Sequence, residues 1–161
     1  MKISGADAIL TLFLAVALLS ACGGQSGNAN GPTTTANATT EAAKTNIEEL
    51  SLLVKVPYET EDIVWKDDGA NKRVIAVLRF APIDADRIVA DAQKFGAAAN
   101  VSLAAESWFP GELIAQSEMS GDNKLNGIAY AANSFYQEPY STGKITRIND
   151  TDYFVLDVSA K

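Results

Sequence analysis

Ser141-Thr142-Gly143-Lys144 has the spacing at which a lysine amine takes a proton from a serine hydroxyl and readies it for attack on an acyl group. That chemistry needs the serine at the start of a helix, with companion Ser-Asp-Asn and Lys-Thr-Gly elements. Here the tetrapeptide leads into a strand pattern and the companions are missing, so it reads as a turn. Gly143-Lys144 does not close a phosphate-binding loop either, because Glu138 stands where the upstream glycine is required. Carboxylates cluster at Glu59-Thr60-Glu61-Asp62, Asp67-Asp68, Asp84-Ala85-Asp86 and Asp150-Thr151-Asp152. Two of them at about 5–5.5 Å or about 6.5–9.5 Å, depending on mechanism, one with a raised pKa, would make a glycoside hydrolase pair. Each cluster also serves as a turn, a helix cap or a solvated edge, and that simpler role is the one expected.

Oxygen ligands for calcium could come from residues 121–127 (GDNKLNG) or 149–152 (NDTD), but neither has the full loop pattern and Lys124 opposes a cation. No metal site and no cofactor are expected. The remaining candidates are aromatic. Trp108-Phe109-Pro110 forms one group, and Tyr130, Phe135, Tyr136 and Tyr140 form another. Aromatic faces with polar tips suit recognition of sugars or peptides. Trp108, Phe109, Tyr136 and Tyr140 are therefore the expected binding surface, with core packing as the competing use. The chain has no histidine, which removes Ser-His-Asp and Cys-His systems and the usual base near neutral pH. Any chemistry must come from carboxylates, Lys, Tyr, Ser or Thr, and no catalytic residue is assigned.

These side chains must be positioned by a small set of elements. Leu50 to Val56 is apolar and partly β-branched and reads as a strand, although Asn46 to Glu49 could begin a short helix instead. Ile63 to Trp65 is a short extended piece, and Asp67-Asp68-Gly69 a turn. Arg73 to Phe80 (RVIAVLRF) is the strongest strand, nearly continuous in apolar residues and so central. Pro82 to Phe95 is the strongest helix, with Asp84 as cap, Lys94 favouring the far end and Gly96 as terminator. Its expected buried stripe is Ala85, Ile88, Val89, Ala92 and Phe95. A second helix covers Ser107 to Met119, with Pro110 in its first turn and Leu113, Ile114 and Met119 turned inward. Strands follow at Lys124 to Ala132, Lys144 to Ile148 and Tyr153 to Val158, the last two joined by a hairpin turn at residues 149–152. The expected fold is α+β: one small domain with a mostly antiparallel sheet of about four or five strands and one or two helices on one face.

The amino-terminal segment supplies an address. Lys2 precedes an apolar run from Ala8 to Leu19, too short to span a bilayer. Leu19-Ser20-Ala21-Cys22 ends that run, and Cys22 is the only cysteine in the chain. This junction resembles the lipobox of bacterial lipoprotein precursors. The resemblance implies export through the Sec route, diacylglyceryl modification of Cys22, cleavage between Ala21 and Cys22, and further acylation (palmitate among the chains) of the new amino terminus. Two or three acyl chains anchor a protein firmly, where one binds only marginally. Gly23 and Gly24 follow the cysteine in place of aspartate, which in Gram-negative lipoproteins favours the outer membrane over the inner.

The expected organisation is signal peptide 1–21, lipidated tether 22–45 and globular domain 46–161. The tether, rich in Gly, Asn, Thr and Ala, has a reach of roughly 25–30 Å. The formal charge is −7, with 20 acidic against 13 basic residues and no basic stripe, so nucleic acid is not an expected partner. The functional expectation is a lipid-anchored protein of the bacterial cell envelope whose domain binds an envelope protein or polysaccharide without catalysis. The alternatives are a carboxylate-based hydrolase of envelope glycans, or a small inhibitor or guard protein acting through Pro57 to Asp62.

Overall fold

The computed structural model describes residues 42–161. The expected lipobox and cleavage site, and most of the expected tether, lie outside these residues.

Six strands form one wholly antiparallel sheet: β1 (Thr60–Asp68), β2 (Arg73–Phe80), β3 (Ala99–Ala104), β4 (Lys124–Ala131), β5 (Tyr140–Ile148) and β6 (Tyr153–Ala160). Their spatial order is β1-β2-β6-β5-β4-β3. The α+β class and the antiparallel sheet are as expected. The strand count is six rather than four or five, because Ala99–Ala104 forms the edge strand β3. ANVSLA offers only Val101 and Leu103 as large apolar residues, so its alternation is faint.

Leu50 to Val56 is not a strand. Helix α1 (Ile47–Ser51) occupies its start, and the Asn46 side chain caps it by accepting from the Glu49 N–H at 3.1 Å. A polar cap outweighs the β-preference of a short apolar run once Leu50 and Val54 can both enter the core from a helical turn. Helix α2 (Pro82–Ala92) continues into a 3-10 turn at Gln93–Phe95 and ends at Gly96. Asp84 does not cap it. Ala81 holds the cap position, Pro82 opens the first turn, and Asp84 instead pairs with Arg87 at 2.9 Å. Ala85, Ile88 and Ala92 are buried as expected, but Phe95 is 55 % exposed because the helix tightens before reaching it. Helix α3 (Gly111–Ser120) buries Leu113, while Met119 is 83 % exposed at its last turn.

The helices cover both faces of the sheet rather than one. Val74, Ala76, Leu78 and Phe80 of β2 join Phe154, Leu156 and Val158 of β6 in a core under α1 and α2. Val77 of β2 with Tyr153 and Val155 of β6 belongs to a second core under α3, with Phe109 and Leu113. The physical reason lies in the central strands themselves: their runs of successive apolar residues have two faces to hide. Phe80 and Phe154 meet edge to face, 5.7 Å between centroids, in the first core. Trp65 of β1, 1 % exposed, donates its indole N–H to the Asn46 carbonyl at 3.0 Å and so ties α1 to the sheet. Lys44, assigned by composition to the tether, pairs its backbone with Trp65 at 2.8 and 2.9 Å.

Candidate functional site

On the face shared with α3, the helix covers only part of the sheet. Leu103 of β3, Ala129 of β4, Thr146 of β5, Val155 of β6 and Ile75 of β2 form the floor of a groove of about 410 Å³. Such a volume is within the range that takes a small ligand. Phe109 closes one side, with Trp108 edge-to-face against it at 4.7 Å.

Charge enters the floor from three neighbouring strands. Asp157 of β6 is opposite Lys144 of β5 on one side and Ile75 of β2 on the other. Arg73 of β2 clamps Asp157 with two parallel bonds, Nε to Oδ1 at 2.7 Å and Nη2 to Oδ2 at 2.8 Å. That carboxylate raises the Arg73 pKa, chiefly through the hydrogen bond, so the guanidinium stays charged. Glu106 accepts the Trp108 indole N–H. Both carboxylates of the groove are thus engaged, whereas the Lys144 ammonium carries no ion pair among the described residues. The arrangement presents an apolar floor with one uncommitted cation and a hydroxyl, Thr146, beside it.

A second hollow of similar volume is on the other face, around the β5–β6 turn. Its cation is spent: Arg147 reaches Asp86 and Asp152, each at 2.9 Å, and lies over the Phe154 ring at 5.8 Å. This is a clamp holding the hairpin to α2.

The four aromatic residues expected to form one surface are placed in two cores. Trp108 and Phe109 belong to the α3 face, the first half-buried and the second 6 % exposed. Tyr136 and Tyr140 belong to the α1–α2 face. Tyr136 donates to the Gly143 carbonyl at 3.1 Å and Tyr140 to Asp67 at 3.4 Å, and burial raises the pKa of both phenols. Of the four, only Phe109 lines the groove, with Trp108 packed against it. Ser141-Thr142-Gly143-Lys144 belongs to strand β5 rather than to the expected turn, and Ser141 is the extra residue of a bulge between Tyr140 and Thr142.

Carboxylates of the clusters make structural contacts, some within a turn and some between distant elements. Asp62 accepts from the Tyr153 hydroxyl at 3.1 Å, and Asp68 holds the β1–β2 turn through Asn71. Asp122 accepts from Ser120 and from the Lys124 N–H, which lowers its pKa, the Ser120 bond contributing most. Among the described residues no group of three His, Cys, Asp or Glu side chains could hold a metal ion.

Lys144 stands out in the sequence for another chemistry, whereas Arg73, Asp157, Val101 and Leu103 do not stand out at all. The available signal was Asp157 itself, a charge inside the otherwise apolar YFVLDV, which needs a partner on a neighbouring strand. No family model matches the chain, and neither a curated protein nor a solved structure matches it.

Proposed function

We propose that the chain is a lipid-anchored, non-catalytic binding protein of the bacterial cell envelope, and that its ligand is a small amphiphile seated in the α3-side groove. The observation that carries the ligand assignment is the free Lys144 ammonium at one end of an apolar floor. An apolar body would replace water over Ile75, Leu103 and Val155, and an anionic group would meet Lys144 without competing with the Arg73–Asp157 clamp. The net charge of −7 disfavours anionic bilayer surfaces and so favours a small ligand over a membrane at the open cation of the groove. The anchor reading rests on the Leu19-Ser20-Ala21-Cys22 junction alone.

The test is titration calorimetry of the purified protein with decanoate and, as a control, decyltrimethylammonium. Decanoate binding that disappears in Lys144→Gln, with the cationic analogue inert, supports the reading. Equal binding of both amphiphiles, or of neither, refutes the ligand class. Mass spectrometry of envelope-extracted protein tests the anchor: acylated Cys22 at the amino terminus supports it, and an unmodified thiol refutes it.

A further inference from the structure

The two edges of the sheet are built differently. The outer strand β1 carries Glu61, Asp62, Lys66, Asp67 and Asp68, has a register shift between Thr60 and Asp62, and takes a backbone pairing from Lys44. Charges, bulges and covering segments are the devices that keep an edge from pairing with another chain. At the opposite edge, β3 has none of them: ANVSLA has no charge, no proline and no break in its register with β4.

The hydrogen-bond pattern shows which residues of β3 face outward. Ala105 donates its N–H to Asn123 of the β4 side, while Asn126, opposite Ser102, accepts from Asn149 on the β5 side. In an antiparallel ladder these directions alternate, so Asn100, Ser102 and Ala104 turn both N–H and C=O away from β4. All three residues are exposed. Among the described residues no strand pairs with that row.

From this edge we infer that the protein forms a two-fold dimer in which β3 pairs antiparallel with β3 of a second copy, centred on Ser102. The strand is self-complementary about that residue. Ser102 meets Ser102, Asn100 meets Ala104, Val101 meets Leu103, and Ala99 meets Ala105. The outward-facing residues fall on the pairs that exchange two hydrogen bonds each. Val101 and Leu103 fall on the intervening pairs, where side chains approach most closely. Both are half-buried members of the groove floor, so pairing puts apolar against apolar on the groove side. No charged residue of the strand meets a like charge across the axis. A second copy satisfies this edge by symmetry, which an unrelated strand would have to match in register. The two grooves then share one twelve-stranded sheet. A contact confined to six-residue edges is smaller than the ~1,200–2,000 Å² of stable interfaces, so the dimer is a weak, concentration-dependent one.

The experiment is independent of any groove ligand. The full chain bearing Cys22→Ser, purified in detergent, receives Ser102→Cys or Asn100→Cys as its single thiol. Across the axis the two residues 102 stand about 5.5 Å apart, within disulfide reach, whereas residues 100 are displaced by four positions and cannot be bridged. Mild oxidation is expected to cross-link Ser102→Cys and leave Asn100→Cys monomeric. Sedimentation of the unmutated chain is expected to show a dimer that Ser102→Lys weakens at least about tenfold by placing like charges opposite each other, with an unchanged circular-dichroism spectrum. Equal cross-linking of both cysteine variants, or a monomer at all concentrations up to about 1 mM, which excludes even the weakest useful affinity, overturns the inference.

Discussion

Gly143 is the position at which a single methyl group tests both the sheet and the groove. Its φ of +146° lies where L side chains rarely go, and a Cβ there would collide with the Asp157 carbonyl oxygen and come within 2.7 Å of the Val158 Cα. Both obstacles are backbone atoms of β6, so no side-chain rotation can relieve them. Gly143→Ala therefore forces β5 away from β6 beside the Lys144–Asp157 pair. Strain in a sparsely populated backbone region costs about 1–3 kcal/mol, and overpacking about the same again. The expected loss is about 3–4 kcal/mol, a large part of the ~5–15 kcal/mol that stabilises a domain. With a urea m-value of about 1.5–2 kcal/mol/M, the unfolding midpoint falls by about 2 M. Gly69 is the control, since an added Cβ would have nothing within 4 Å there and its φ is not left-handed. Gly69→Ala should move the midpoint by less than about 0.3 M. Equal midpoints for the two variants would refute the steric argument.

Arg147→Met keeps the aliphatic stem but removes the bonds to Asp86 and Asp152; a loss of about 1–2 kcal/mol in urea unfolding is expected, discounted for partial exposure. Trp65→Phe leaves the Asn46 carbonyl without its indole donor, and a similar loss of about 1–2 kcal/mol should appear, with early release of α1 in hydrogen exchange. The Tyr58, Tyr136, Tyr140 and Tyr153 phenols are all pushed above 10, by burial first and, for Tyr58 and Tyr153, by hydrogen bonds to Asp91 and Asp62 next. A folded pKa above the unfolded one adds stability that is complete below pH ~10 and lost as pH rises through the folded values. Tyrosinate absorbance should therefore lag the free phenol and then rise with unfolding; titration of these four phenols near the free value would contradict this. Asp68, Asp91 and Asp122 shift downward, first through hydrogen bonds to Asn71, Lys94 and Ser120, so their contribution is present above about pH 4 and lost below it. A melting temperature that does not fall between pH 5 and pH 2.5 would refute that part.

Elements with strong local signals were legible in the chain. RVIAVLRF could only be a buried strand, Pro82 to Ala92 has helical spacing with a proline at its start, and residues 149–152 turn between two β-patterns. Residues 50–56 and 99–104 misled for opposite reasons. The first is apolar enough for either state, yet only Leu50 and Ser51 join the helix that Asn46 caps, and residues 52–56 leave it as a turn and irregular chain. The second is barely apolar, and only its ladder with β4 makes it a strand. Phe95 and Met119 fit helical stripes in number but sit beyond the turns that touch the sheet. The aromatic candidates showed residue type without direction: Trp108 and Phe109 went to one face of the sheet, Tyr136 and Tyr140 to the other.

Local composition thus determined the α+β class, the order of most elements and the absence of histidine and thiol chemistry from residues 42–161, because propensity, turn residues and periodicity act over a few neighbours. The tertiary structure decided which charges meet. Arg73 and Asp157 are 84 positions apart along the chain, and only the placing of β6 between β2 and β5 brings them together and leaves Lys144 over. Strand order is a long-range choice made by burying both faces of the central strands at once, and no local pattern encodes it.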